Sequence, residues 1–364
     1  MTNPRVPAIG TANPPHRFTQ EEIYRLAGYQ SGHILEIFLN SDIDYRHLYI
    51  DPENFSRDET PDQLNARFLR GALEIGCLAT RWCLNAARLS PRDVDLFLVC
   101  TCTGYVCPDV GSRLIGHLQF RKDVQRAPLI GLGCAGAVPT LQRAWDYARA
   151  HPGRRALMLA VEICSASYYI DSSLETVVGN AICADGAAAL ILSTESGEGG
   201  APLPAVVDVQ SFLDTDQQDK VGFGQREGKL RIILHASIRD LAAGMIERAI
   251  DPLLGRNRLA REDIRFWVTH PGGAQGHRQR AEATGIDGRT ASVLKKHSEE
   301  FRKHVVPDGT LRLERSGAGR RAARGGLGCD GGAGSRHGRR GRPAQMVISK
   351  DWCQFGSYRV EERI

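Results

Sequence analysis

Leu89-Ser-Pro-Arg-Asp-Val-Asp-Leu-Phe-Leu-Val99 returns 170 residues later as Leu259-Ala-Arg-Glu-Asp-Ile-Arg-Phe-Trp-Val-Thr269. Each copy sets a leucine, a small residue and an aspartate ahead of a hydrophobic run. Each also follows a segment whose apolar residues recur at helical spacing, Leu69 to Ala87 in one case and Ile238 to Leu254 in the other. A repeat of this kind is the trace of a fold built from two similar βαβ-rich halves.

Working outward, helical and strand patterns alternate, which predicts an α/β protein of packed layers. Leu69 to Leu89 carries a helix face, and Ala137 to Ala150 reads as a second helix. The continuous apolar runs Asp95 to Thr103, Arg155 to Ile163 and Ala187 to Ser193 read as buried strands. Ala127 to Gly131 runs into a glycine-rich turn. The turn residues of Gly197 to Leu213 place the boundary between halves there, giving an N-terminal half of 1–205 and a C-terminal half of 206–364.

Composition narrows the class. A chain of 364 residues with 42% hydrophobic and 24% charged residues is of the globular enzyme type. No stretch reaches about 18 uninterrupted apolar residues, and the first residues lack a basic segment followed by an apolar run, so a cytoplasmic, non-membrane protein is expected. The ten cysteines include no CxxC pair and no zinc-type spacing, and they read as reduced thiols.

Gly131-Leu-Gly-Cys134-Ala-Gly-Ala-Val-Pro139 places a cysteine in a glycine-flanked turn directly before a helix. Free N–H groups and the helix dipole at such a place favour the thiolate, the form that attacks acyl groups. A small buried cysteine packing the helix start is the competing reading. Val268-Thr-His270-Pro-Gly-Gly273 ends an apolar run in a histidine followed by a turn, a position from which the ring can project into a site.

With these elements stand Cys100-Thr-Cys-Thr-Gly-Tyr-Val-Cys-Pro108, Val161-Glu-Ile-Cys-Ser165, Val178-Gly-Asn-Ala-Ile-Cys-Ala-Asp-Gly-Ala-Ala188 and Gly222-Phe-Gly224. In this order and spacing the chain resembles the thiolase-fold condensing enzymes, and among them the type III polyketide synthases of the chalcone and stilbene synthase kind. The resemblance implies a layered α/β/α/β/α architecture and an acyltransferase without a metal or added cofactor, CoA thioesters being its substrates. Cys134 would take a starter acyl group from an acyl-CoA, with His270 as imidazolium stabilising the thiolate. The same histidine, with a family asparagine, would bind the thioester oxygen of malonyl-CoA as decarboxylation forms the enolate that attacks the Cys-bound acyl group. Cys102, Thr103, Cys164, Ser167 and Cys183 match cavity-lining positions, Cys183 standing where plant enzymes hold a gatekeeper Phe. Cys107 matches a residue that reaches the partner's cavity, which implies a homodimer, and Arg46 falls where the family places basic contacts to CoA phosphate. Two rivals stay open at this stage. One is a single-step ketoacyl synthase III-like enzyme of fatty-acid synthesis, and the other a non-catalytic protein whose tail binds nucleic acid.

The pattern stops after Gly273. Residues 274 to 364 hold 19 Lys+Arg against 10 Asp+Glu, out of 47 and 42 in the chain, so residues 1 to 273 carry 28 against 32. Arg312 to Arg342 contains 9 Arg and 10 Gly in 31 residues, a composition that cannot build half a core. His297 to Pro307 stands where a Gly-Asn-x-Ser-Ser motif should supply the asparagine. A one-nucleotide frame shift accounts for this better than a nucleic-acid arm does, because one constant offset permits a helix after Ala274, the missing asparagine across Lys303 and His304, a terminal strand within Leu327 to Met346, and a stop across Val347 and Ile348. Sequencing the gene is expected to show an alternative frame free of stop codons from near Gly273 onward. Stops within it would end this reading.

Overall fold

The computed structural model describes residues 2–195 and 203–264, Trp267, and the strand at residues 345–349. The chain divides into two units, and all of these residues lie in the one formed by Met1–Gly285 and Ala344–Ile364. Strands β1 (Ile9–Ala12) and β2 (Arg17–Thr19) lead into helices α1 (Gln20–Leu26) and α2 (Gly32–Leu39), followed by β3 (Tyr45–His47) and the long α3 (Pro61–Ala86). Then come β4 (Leu96–Thr101), α4 (Val110–Leu118), β5 (Gln125–Ile130), α5 (Ala137–Ala150), β6 (Ala156–Glu162), α6 (Leu174–Ile182) and β7 (Gly186–Leu192). Beyond them lie β8 (Ala205–Gln210), the hairpin β9 (Val221–Arg226) and β10 (Lys229–Leu234), α7 (Ile238–Arg256), and β11 (Gln345–Ser349).

The central sheet has the order β1-β7-β6-β4-β5. β5, β4 and β6 are parallel, while β7 and β1 join antiparallel. Both faces are covered, which explains the unbroken apolar runs. Phe97, Val99, Leu157, Leu159 and Val161 pack with Phe68, Ala72, Ile75 and Ala79 of α3 and Leu114 of α4. On the opposite face Leu96, Leu98, Ala156 and Met158 meet Leu141, Ala144, Trp145 and Ala148 of α5. The Trp145 indole N–H donates to the Val206 carbonyl at 2.9 Å, tying β8 to this layer.

α3 begins earlier than the apolar spacing alone indicates. Thr60 caps it in a capping box with Gln63, and Pro61 opens the first turn. Its first turns are largely exposed, so hydrophobic periodicity does not mark them. α5 spans the predicted residues, β4 and β6 lie within the predicted runs, and β7 begins one residue ahead of its run, at Gly186.

The internal repeat holds at the level of single hydrogen bonds. Arg88 and Arg258 both take the left-handed conformation after their helices, at φ 56 and 54°. Leu89 N–H bonds the Leu84 carbonyl at 2.8 Å and Leu259 that of Leu254 at 3.0 Å. Asp93 and Asp263 accept from the backbone N–H of Ser90 and Ala260, at 2.7 and 2.8 Å. After Ile264 the second copy passes out of the described residues, apart from Trp267, which packs against Ile246, Ile250 and Leu254. The tail 274–364 also lies outside them except for β11, which pairs in parallel with β8 through Met346, Val347 and Ile348.

β1 lies directly on the backbone of α3. A Cβ added at Gly10 would sit 2.3 Å from both the Ala79 carbonyl oxygen and the Cys83 nitrogen. Gly10→Ala is therefore expected to destabilise the protein by about 2 to 3 kcal/mol, as overpacking against a rigid neighbour does. A thermal melt reads the loss directly, and an unchanged melting temperature would contradict the close approach.

Candidate active site

The three parallel strands deliver their carboxyl ends to one place, where sites form in open α/β sheets. β4, in the middle, runs into Cys102 and Thr103. β5 runs through Gly131 and Gly133, with φ 75 and 56°, into the single turn Gly133–Ala135 that carries Cys134. The turn passes through Gly136 into α5, so Cys134 stands one turn ahead of that helix rather than against its first residue. Cys134 and Cys102 are both partly exposed residues. β6 ends in Glu162 and leads into the turn Cys164–Ser167.

Glu162 organises the site. Its carboxylate accepts the backbone N–H of Cys102 at 2.9 Å and of Thr103 at 3.1 Å, and the hydroxyls of Thr103 and Thr101 at 2.7 and 3.1 Å. The Thr103 hydroxyl accepts in turn from Ile163 N–H at 2.9 Å. Burial pushes the Glu162 carboxyl up while these donors pull it down. The Cys102 thiol is in hydrogen-bond contact with the Cys134 sulfur, and this contact, burial and the Glu162 charge push Cys102 well above the ordinary thiol range. Behind them, burial pushes Cys100 up to about 12. Glu162 escaped the sequence reading although its signal was present, a lone acidic residue closing an otherwise apolar strand.

Cys164 and Cys183 form a second thiol pair. They touch each other, pack with Ile232 of β10, and are 1% and 5% exposed. Burial pushes the Cys164 thiol well up, with the Cys183 contact adding to it. Ser167 donates its hydroxyl to the Cys164 carbonyl at 2.9 Å. Cys107 is exposed, at a cis peptide to Pro108. His270 lies outside the described residues.

Arg46 departs from expectation. It is 3% exposed, and its guanidinium donates to the Cys183 carbonyl, to Gln20 Oε1 at 3.0 Å and to the Tyr168 hydroxyl at 3.4 Å. A side chain committed to the interior from β3 cannot serve as a surface contact for CoA phosphate. It braces the end of α6 instead.

Asp185 holds the turn Cys164–Ser167 in place. It accepts from the Ser165 N–H and hydroxyl at 2.8 and 2.6 Å and from Tyr49 N–H at 2.6 Å. The Ser165 carbonyl accepts in turn from Arg67, which pairs with Glu59. Burial pushes the Asp185 carboxyl from the ordinary 3.8 up to about 6.

The model of the family described as FAE1/type III polyketide synthase-like protein matches residues 52–270. The 1,3,6,8-tetrahydroxynaphthalene synthase of Streptomyces peucetius subsp. caesius is 31% identical over 276 residues, covering 74% of this chain and 73% of that one. The 3,5-dihydroxyphenylacetyl-CoA synthase of Amycolatopsis balhimycina is 30% identical over 274 residues, covering 74% and 73%. The crystal structure of PKS-I from the brown alga Ectocarpus siliculosus superimposes with a TM-score of 0.74 at 24% identity, over 84% of this chain and 90% of that one, a likeness of fold. The α/β fold is thus the thiolase-like one of the condensing acyltransferases. The chain belongs to the type III polyketide synthase family.

A folded-state carboxyl value raised above the unfolded one adds stability that is complete below about 3.8 and is lost as pH rises through about 6. The stability difference between wild type and Asp185→Asn is therefore expected to change by about 3 kcal/mol across that window. Chemical denaturation at several pH values measures it, and a difference independent of pH would contradict the buried carboxylate.

Proposed function

We propose that the chain loads an acyl group from a CoA thioester onto Cys134 and extends it with malonyl-CoA by decarboxylative Claisen condensation, giving a cyclised polyketide of the pyrone, resorcinol or phloroglucinol type. The observation that carries this reading is the partly exposed Cys134 at the meeting point of three parallel strand ends, one turn before α5. The family membership and the named activities of the Streptomyces and Amycolatopsis relatives support it and favour it over a fatty-acid ketoacyl synthase.

In the proposed cycle the Cys134 sulfur attacks the thioester carbonyl and CoA leaves as its thiol. Malonyl-CoA then loses carbon dioxide, and the resulting enolate attacks the Cys134-bound carbonyl. A carbon–carbon bond forms and the sulfur is released. His270 is assigned the stabilisation of the thiolate and the enolate oxygen. The chain as written has no asparagine in the segment proposed for the amide donor. Loss of one such donor costs on the order of 100-fold to 1000-fold in rate, so condensation is expected to be impaired more than loading.

The two-half organisation, 1–205 and 206–364 with family character to about 273, is part of this proposal and is supported by the hydrogen bonds repeated 170 residues apart. A homodimer is proposed as well. β5 is the outer strand of the sheet, Ile130 at its end is 46% exposed, and Tyr105 and Cys107 in the segment after β4 are also exposed. No helix among the described residues is long and apolar enough to cross a membrane. The eight described cysteines are all free thiols, which supports a reducing, cytoplasmic setting.

Incubation with a short acyl-CoA followed by mass spectrometry is expected to find the acyl group on the peptide that contains Cys134. Cys134→Ala should abolish the adduct while Cys164→Ser retains it. An adduct that survives Cys134→Ala would sink the assignment.

A further inference from the structure

Two partly exposed cysteines whose thiols meet beside a carboxylate form an arrangement with a chemistry of its own. Cys134 stands in the turn Gly133–Ala135 and is partly exposed. Cys102 is held against it by the two backbone hydrogen bonds that Glu162 accepts from Cys102 and Thr103. Neither neighbour can drift away, since β4 and β5 are paired in register up to Thr101 and Ile130, immediately before the two turns. The second thiol pair, Cys164 and Cys183, has the same contact but almost no exposure, and it supplies an internal reference.

We propose that Cys134 and Cys102 form a reversible peroxide-sensitive pair, Cys134 as the oxidised thiol and Cys102 as the resolving one. The Cys134 sulfur attacks a peroxide oxygen, the O–O bond breaks, and the thiol proton leaves with the displaced hydroxide as water, so that a sulfenic acid remains on Cys134. The Cys102 sulfur then attacks the sulfenic sulfur. Its proton passes to Glu162 and leaves with the displaced hydroxide as a second water. Two thiols have given two electrons to one peroxide, which ends as two waters, and one S–S bond has formed. The disulfide removes the acyl-accepting sulfur from use while shielding it from the irreversible sulfinic and sulfonic states. A thiol reductant restores it. The inference rests on the juxtaposition of the two thiols at adjacent strand ends and on the partial exposure of Cys134, not on the condensing reaction, so either proposal can fail without the other.

The test uses the full chain, exposed to a graded excess of hydrogen peroxide, alkylated, digested with trypsin and mapped by mass spectrometry. Peptide Asp93–Arg113 is expected to appear linked to Ala127–Arg143, two hydrogens lighter than the separate peptides, with fragmentation placing the bond at Cys102 and Cys134. Dithiothreitol should separate the two. Cys164 and Cys183 should stay reduced under the same exposure. In Cys102→Ser the linked species should vanish, and Cys134 should gain two or three oxygens several-fold faster than in wild type. The wild-type map decides by itself, however well that variant folds. Direct sulfinic oxidation of Cys134 without a linked peptide, a link through Cys100 or Cys107 instead, or equal oxidation of the buried pair would overturn the proposal.

Discussion

A carboxylate at the end of a buried strand is costly unless donors surround it, and the region around Cys134 is arranged about one that is satisfied in this way. Glu162 closes β6 with two backbone N–H groups and two hydroxyls directed at its oxygens. Those donors belong to the end of β4, so meeting the electrostatic need of one strand fixes the exit path of its neighbour. The exit path in turn sets Cys102 against Cys134. Asp185, just ahead of the neighbouring strand β7, repeats the device with Ser165 and Tyr49 as donors and so holds the turn that carries Cys164 and Ser167.

Much of this was legible because hydrophobic burial writes itself in periodicity. β4, β6 and β7, covered on one or both faces, appear as apolar runs, and α5 shows its buried stripe from Ala137 to Ala150 without a break. What periodicity could not show were features fixed by polar groups. The start of α3 is set by Thr60, Pro61 and Gln63 in an exposed turn. The β9–β10 hairpin turns on Glu227 and Gly228 with φ 54 and 75°, a geometry for which Asn-Gly is the usual signal.

The site was legible by residue type more than by environment. Cys134 and Cys102, singled out from separate motifs, stand at the ends of the neighbouring strands β5 and β4. Arg46 shows the limit: a basic residue in a polar-looking stretch invites a surface role, yet its strand aims it at the Cys183 carbonyl. Cys164 and Cys183 were read as cavity lining, and the structure seats them deep in a small apolar cluster. Whether a side chain faces inward depends on which strand pairs with which, and a motif does not carry that information.

The repeat that opens the fold is unequal in one detail. Ser90 donates its hydroxyl to Asp93 at 2.7 Å in addition to the backbone bond, and at the equivalent position Ala260 has no hydroxyl to give. One copy of the same joint is thus latched twice and the other once. Two modules of the same pattern need not share the burden of cohesion evenly, and the later joint does without the side-chain bond that fastens the earlier one.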